Sequence, residues 1–190
     1  GSNVNQKSLV QVIDEVGANL GNIVRIAIKN NTTYAQDVDG NVYAFGNNYY
    51  NVASKIEDLE PVAEVSGEYA ITKDRKVINL ISKTEVTGID NIVKISEGVN
   101  HTLFLTKDKT VYAIGQNNNG QCGTGTKTNC VTPTFVKDNI GTGTLQNVKD
   151  ISAGNNYSIA VLENGEVYTW GANNENVLGT EQATPQILPR

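Results

Sequence analysis

The chain has 190 residues and a formal net charge of -5, with 38% hydrophobic and only 18% charged residues. A disordered polymer would hold fewer aliphatic residues at a higher charge density, so that class is excluded. The longest apolar runs, such as 157–162, fall far short of the roughly 20 residues of a membrane-spanning helix, and 15 Lys plus Arg against 20 Asp plus Glu argue against nucleic-acid binding. Gly1-Ser2 has the form of a cleaved tag remnant, and the absence of Met fits a segment cut from a longer gene product.

Taken in chain order, the sequence reads as four copies of one pattern. The first runs over about 9–48 and holds Asn22-Ile23-Val24-Arg25-Ile26, the break Asp39-Gly40 and Val42-Tyr43-Ala44-Phe45-Gly46. The second, about 56–82, is worn: Val65-Ser66, Ile71-Thr72-Lys73-Asp74 and Val77-Ile78-Asn79-Leu80, without a terminal glycine. The third, about 89–126, reads Asn91-Ile92-Val93-Lys94-Ile95, Asp108-Lys109 and Val111-Tyr112-Ala113-Ile114-Gly115. The fourth, about 132–180, reads Asn147-Val148-Lys149-Asp150-Ile151, Asn164-Gly165 and Val167-Tyr168-Thr169-Trp170-Gly171. Thr184-Pro185-Gln186-Ile187-Leu188 parallels Thr132-Pro133-Thr134-Phe135-Val136 and is read as the start of a truncated fifth repeat over 184–190. Residues 3–188 thus form a single repeat domain.

Each two-residue break lies between strand-length apolar runs, so each copy is expected to hold a β-hairpin with a type I′ turn. On the second strand neither face is polar, which predicts sheets covered on both sides. Abundant Asn and Gly supply the corners. The fold class expected is all-β, small antiparallel sheets stacked as β-propeller blades.

The third and fourth copies resemble the repeats of the regulator of chromosome condensation family. The resemblance rests on Gly98-Val99-Asn100-His101-Thr102 followed by Gly115-Gln116-Asn117-Asn118-Asn119-Gly120-Gln121-Cys122-Gly123, and on Gly154-Asn155-Asn156-Tyr157-Ser158 followed by Gly171-Ala172-Asn173-Asn174-Glu175-Asn176-Val177-Leu178-Gly179. It is strong only over roughly 92–180. It implies a seven-bladed propeller, which four repeats cannot close. A fragment forming an open arc is therefore expected, with a compact four-bladed ring as the alternative, and exposed terminal blades would allow a homo-oligomer.

Little in the chain suggests catalysis. His101 is the sole histidine and lacks the partners of a triad or zinc site at any recognisable spacing; the resemblance implies a corner residue supporting backbone hydrogen bonds. Cys122 and Cys130 form no metal-binding pair, Cys122 reads as a small buried hydrophobe, and a disulfide between them stays open. Asp37-Val38-Asp39-Gly40-Asn41 departs from calcium-loop order and reads as a turn. The sequons beginning at Asn30, Asn31, Asn100 and Asn156 read as repeat-corner residues. No catalytic, metal or cofactor residue is assigned, and no cofactor is expected.

The function expected is a non-enzymatic interaction scaffold whose loops, with Tyr49, Tyr50, Asn117, Asn118, Asn119, Asn173 and Asn174, contact a protein partner or a cell-surface glycan. The alternative carried by the resemblance is guanine-nucleotide exchange on a small GTPase. The Asn-rich, Cys-poor, acidic composition is read as that of a bacterial secreted or surface module.

Overall fold

A computed structural model describes residues 5–47, 49, 51–181 and 184–190. It divides into two compact units, Gly1–Glu85 and Val86–Arg190. Unit 1 holds two sheets. The first contains β1 (Ile23–Lys29), β2 (Thr32–Asp37), β3 (Val42–Gly46) and β4 (Ser54–Lys55); the second contains β5 (Val62–Ser66), β6 (Tyr69–Thr72), β7 (Val77–Asn79) and β8 (Thr84–Glu85). Unit 2 holds the third sheet, β9 (Ile92–Glu97), β10 (His101–Thr106), β11 (Val111–Gly115) and β12 (Cys130–Phe135), and the fourth, β13 (Val148–Ala153), β14 (Tyr157–Leu162) and β15 (Val167–Gly171). All pairings within the sheets are antiparallel, with sequential strands adjacent. The chain is all-β, built from blades of the propeller type.

The hairpins differ from the expected type I′ turns. In all four, only the last residue of the turn is left-handed: Gly40, Arg75, Lys109 and Gly165 have φ of 90°, 63°, 61° and 88°. Each donates its N–H back to the residue three before it, Asp37, Thr72, Thr106 and Leu162. These are three-residue loops, a type I turn followed by a left-handed residue. Polar side chains fix the longer loop: the Asp37 carboxylate accepts from the Asp39 and Asn41 amides at 3.0 and 2.9 Å, and the Thr72 and Thr106 hydroxyls accept from Lys76 and Thr110. Burial would raise the Asp37 pKa, but its bonds to Asn41, Asp39 and Gly40 outweigh this and hold it below the usual range. The segment considered for calcium is a turn whose carboxylate is filled by N–H donors.

The outer strands shift the repeat boundaries. Thr132–Phe135, expected to open a repeat, lies in the fourth strand of the third sheet, with Thr134 opposite Ala113 and Phe135 opposite Tyr112. In the same way Gln186 bridges Gly171 and Arg190 exchanges backbone hydrogen bonds with Thr169, so 186–190 run along the outer edge of the fourth sheet rather than starting another.

Each unit has its own core between its two sheets. In unit 1, Tyr34, Val42 and Ala44 of the first sheet pack with Val62, Val65 and Ala70 of the second. In unit 2, Leu103, Leu105, Val111 and Ala113 pack with Val148, Ile151, Ala160 and Trp170. In β3 and β11 the face with Val42 and Ala44, or Val111 and Ala113, is buried and the face with Tyr43 and Phe45, or Tyr112 and Ile114, is half-buried, in keeping with the lack of polar alternation in their sequences.

Candidate functional site

The loops expected to meet a partner leave the third strands of the third and fourth sheets. Both begin at a left-handed glycine, Gly115 and Gly171, matched in the first sheet by Gly46. A Cβ at Gly46, Gly115 or Gly171 would run into the carbonyl oxygen of Asn31, Asn100 or Asn156. That same carbonyl accepts the N–H of the next residue: Asn47 at 3.1 Å, Gln116 at 2.8 Å and Ala172 at 2.8 Å. The terminal glycine of the pattern is therefore set by close backbone approach as well as by φ.

Asn117, proposed from sequence as a contact residue, is fully buried. Its Nδ2 donates to the Thr126 and Thr128 carbonyls at 3.0 and 2.9 Å and to Thr124 Oγ1 at 3.2 Å. Its Oδ1 accepts the Cys122 N–H at 2.8 Å. Asn173 repeats the arrangement, buried, with Oδ1 accepting the Leu178 N–H at 3.0 Å. Neither side chain reaches solvent, so both are corrected from partner contacts to organisers of their own loops. A polar residue type misled because the loop carries many unpaired backbone groups, and a buried amide is the compact way to satisfy several at once. Asn118 and Asn174 are exposed and Asn119 is half-buried, its N–H bonded to Gln121 Oε1 at 2.9 Å. Tyr49 is half-buried edge-on against Tyr34, ring centroids 6.1 Å apart, and burial raises its pKa. Tyr50 lies outside the described residues.

His101 and Ser158 join the third sheet to the fourth inside unit 2. The His101 Nε2 to Ser158 Oγ distance is 2.8 Å, and Ser158 Oγ donates to the Gln121 carbonyl, also at 2.8 Å. With its proton spent there, the hydroxyl accepts from the ring. Trp170 Nε1 donates to the same carbonyl at 2.8 Å. His101, Ser158 and Trp170 are all buried. A Ser–His pair so arranged is not a nucleophile: its hydroxyl proton points away from the imidazole and no substrate can reach it. Sequence reasoning missed this network because its members are 57 and 49 residues apart; the recurrence of Thr102 and Ser158 one position after His101 and Tyr157 was the available signal.

Cys122 and Cys130 are free buried thiols. Their mutual hydrogen bond, with burial adding, pushes Cys122 up; the same bond lowers Cys130 against its own burial. At the other end of the third sheet an open cleft of about 340 Å³ is lined by Asp90, Asp108, Thr110, Tyr112 and Phe135. The Tyr112 and Phe135 rings stack there with centroids 4.0 Å apart, and burial, with Asp90 adding, raises the Tyr112 pKa.

Residues 108–161 match one profile of the Regulator of chromosome condensation (RCC1) repeat, and residues 92–121 and 148–176 match a second. The X-linked retinitis pigmentosa GTPase regulator of dog is 40% identical over 93 residues, 49% of this chain and 9% of that protein. Human E3 ubiquitin-protein ligase HERC2 is 25% identical over 178 residues, 89% of this chain and 3% of that protein. The chain thus spans less than a tenth of the length of these curated relatives. Among solved structures, that of Kap60 bound to yeast RCC1 (Prp20) contains a chain aligned with a TM-score of 0.70 at 22% identity, over 88% of this chain and 48% of that one. The repeat geometry of the third and fourth sheets and these matches agree, and residues 92–176 are repeats of the regulator of chromosome condensation family.

Proposed function

We propose that the chain is a non-enzymatic scaffold that presents loops at one end of its blades to a protein partner. The observation that carries this reading is a division of labour inside the loops. Asn117 and Asn173 are buried and hold the backbone, while Asn118 and Asn174 beside them are exposed on a fixed support. A rigid loop with short polar side chains binds at low entropic cost. The yeast relative is described in complex with the protein Kap60, which favours a protein over a glycan. The relatives described above are eukaryotic, so the bacterial, secreted setting suggested by composition draws no support from them.

A second reading, regulation of a small GTPase by nucleotide exchange, is favoured by the 40% identity to a protein named as a GTPase regulator. Nucleotide release from a panel of small GTPases separates the two. Under the scaffold reading release stays at its spontaneous rate, and a photo-crosslinker at Asn118 captures a bound protein while one at Asp108, on the turn at the other end of the same strands, does not. Clear acceleration of release would overturn it.

A further inference from the structure

The third blade carries two thiols for which the fourth has no counterpart. The Leu178 N–H bonds to buried Asn173 as the Cys122 N–H bonds to Asn117, and Gln186 bridges Gly171 as Cys130 pairs with Gly115. The repeat therefore folds without sulfur at either place.

Asn117 holds the chain beside both thiols. Its Oδ1 accepts the Cys122 N–H, its Nδ2 donates to the Thr128 carbonyl at 2.9 Å, and its own N–H bonds to Asn129 Oδ1 at 2.9 Å. The segments that lead to Cys122 and to Cys130 are thus tied to one buried side chain. Cys130 stands opposite Gly115 across β11 and β12, and Cys122 Sγ lies 3.5 Å from the Gln116 carbonyl and 3.9 Å from that of Gly115. The two thiols meet there and hydrogen-bond to each other.

Their surroundings differ. Cys122 is fully buried, whereas Cys130 is 7% exposed between two exposed residues, Asn129 and Val131. Between Cys130 and Thr134 the pairing of β12 with β11 is irregular, which leaves the start of β12 room to adjust. The bond from Cys122 holds the Cys130 thiol down to about 7 against its burial, with Thr134 and Thr124 adding. A reactive thiolate on the outer side with a second thiol behind it suits peroxide chemistry.

We propose that Cys130 and Cys122 are a site of reversible oxidation by a hydroperoxide, Cys130 reacting first and Cys122 closing an intrachain disulfide. The Cys130 thiolate attacks one oxygen of the hydroperoxide. Its S–O bond forms as the O–O bond breaks, and the other oxygen leaves as alcohol or water, taking up the proton that Cys130 had released. The Cys122 sulfur then attacks the Cys130 sulfenic sulfur; the S–S bond forms as the S–O bond breaks, and the Cys122 proton leaves with the hydroxide as water. The two thiols give up two electrons and the hydroperoxide accepts them. Once Cys130 is an uncharged sulfenic acid, the thiolate that held the proton on Cys122 is gone. The product staples the start of β12 to the loop that Asn117 organises.

The test uses the whole chain, fully reduced and folded, treated with hydrogen peroxide at neutral pH. Its mass is expected to fall by two hydrogens and to return with dithiothreitol. Trypsin cleaves after Lys127, between the two cysteines, so the unreduced digest is expected to contain 110–127 joined to 128–137. Cys122→Ala, checked for an unchanged melting curve, is expected to stop at a Cys130 sulfenic acid that dimedone captures. In Cys130→Ala, checked in the same way, Cys122 is expected to react at least about tenfold more slowly than Cys130 does in Cys122→Ala. Two thiols that persist in the native wild type while peroxide oxidises the unfolded chain overturn the proposal, as does a disulfide that joins two chains instead of closing within one. Equal reactivity of the two single variants overturns it as well, because neither sulfur would then lead.

Discussion

The second and third blades share a hairpin and a strand bulge but end in different ways. The third leaves its last central strand through Gly115, and its loop folds around buried Asn117 before Cys130 starts the outer strand. The second has Asn79 at that point, followed at once by a turn into the two-residue strand β8. Asn79 Oδ1 caps that turn by accepting from the Ile81 and Ser82 amides at 3.0 and 2.9 Å. One backbone bond survives the change: Leu80 donates to the Glu68 carbonyl at 2.8 Å, as Gln116 does to Asn100. A blade therefore needs its hairpin and the corner carbonyl. The long loop adds something else, a backbone acceptor at Gln121 that reaches the neighbouring sheet through Ser158 and Trp170.

Removing that reach should have the largest effect. Trp170→Ala deletes the largest fully buried side chain and is expected to destabilise unit 2 by about 3–5 kcal/mol, read as a lower denaturant midpoint. A loss under about 1 kcal/mol would mean that the loop is not tied to the fourth sheet in this way. Next comes the paired contrast of Asn117→Ala with Asn79→Ala. The first strands buried backbone groups and should cost about 2–4 kcal/mol; the second frees groups that water can reach and should cost about 1 kcal/mol or less. Equal losses would erase the distinction between the two endings. The smallest effect has the opposite sign. Arg75 is exposed and left-handed, so Arg75→Gly relieves backbone strain and should stabilise by about 0.5–1 kcal/mol, visible as a small rise in Tm.

The strands were legible in the sequence because their signals are local. Three blades open on a left-handed Asn before an aliphatic strand, Asn22, Asn91 and Asn147, and repetition makes that spacing visible even where the second blade is worn. The turn type was less so. Asp39-Gly40 and Asn164-Gly165 suggest two left-handed residues, but the loops are one residue longer, with the Asp37 carboxylate accepting from the Asp39 amide in one and Asn164 Oδ1 from the Glu166 amide in the other. That 132–135 pairs with β11 in the third sheet was not legible, because β4 and β8, the corresponding outer strands, have two residues each and leave no periodicity to extrapolate from. At the candidate site, exposed Asn118 and buried Asn117 are adjacent and identical in type. Only the number of backbone groups each must satisfy separates them, and that depends on a loop path that composition does not encode.

The Gln121 carbonyl carries a consequence for sequence drift. The groups that tie the two blades, an indole and a hydroxyl, converge on a main-chain oxygen, which every residue type supplies. Substitution at 121 can alter the local side-chain bonds without deleting this acceptor. Inheritance of the joint thus rests on the positions that aim the backbone, Gly115 and Asn117, and on the donors at 158 and 170. The rest of the loop is left free to diverge in what it shows to a partner, so repeats of this kind can change their recognition surface while keeping their neighbours.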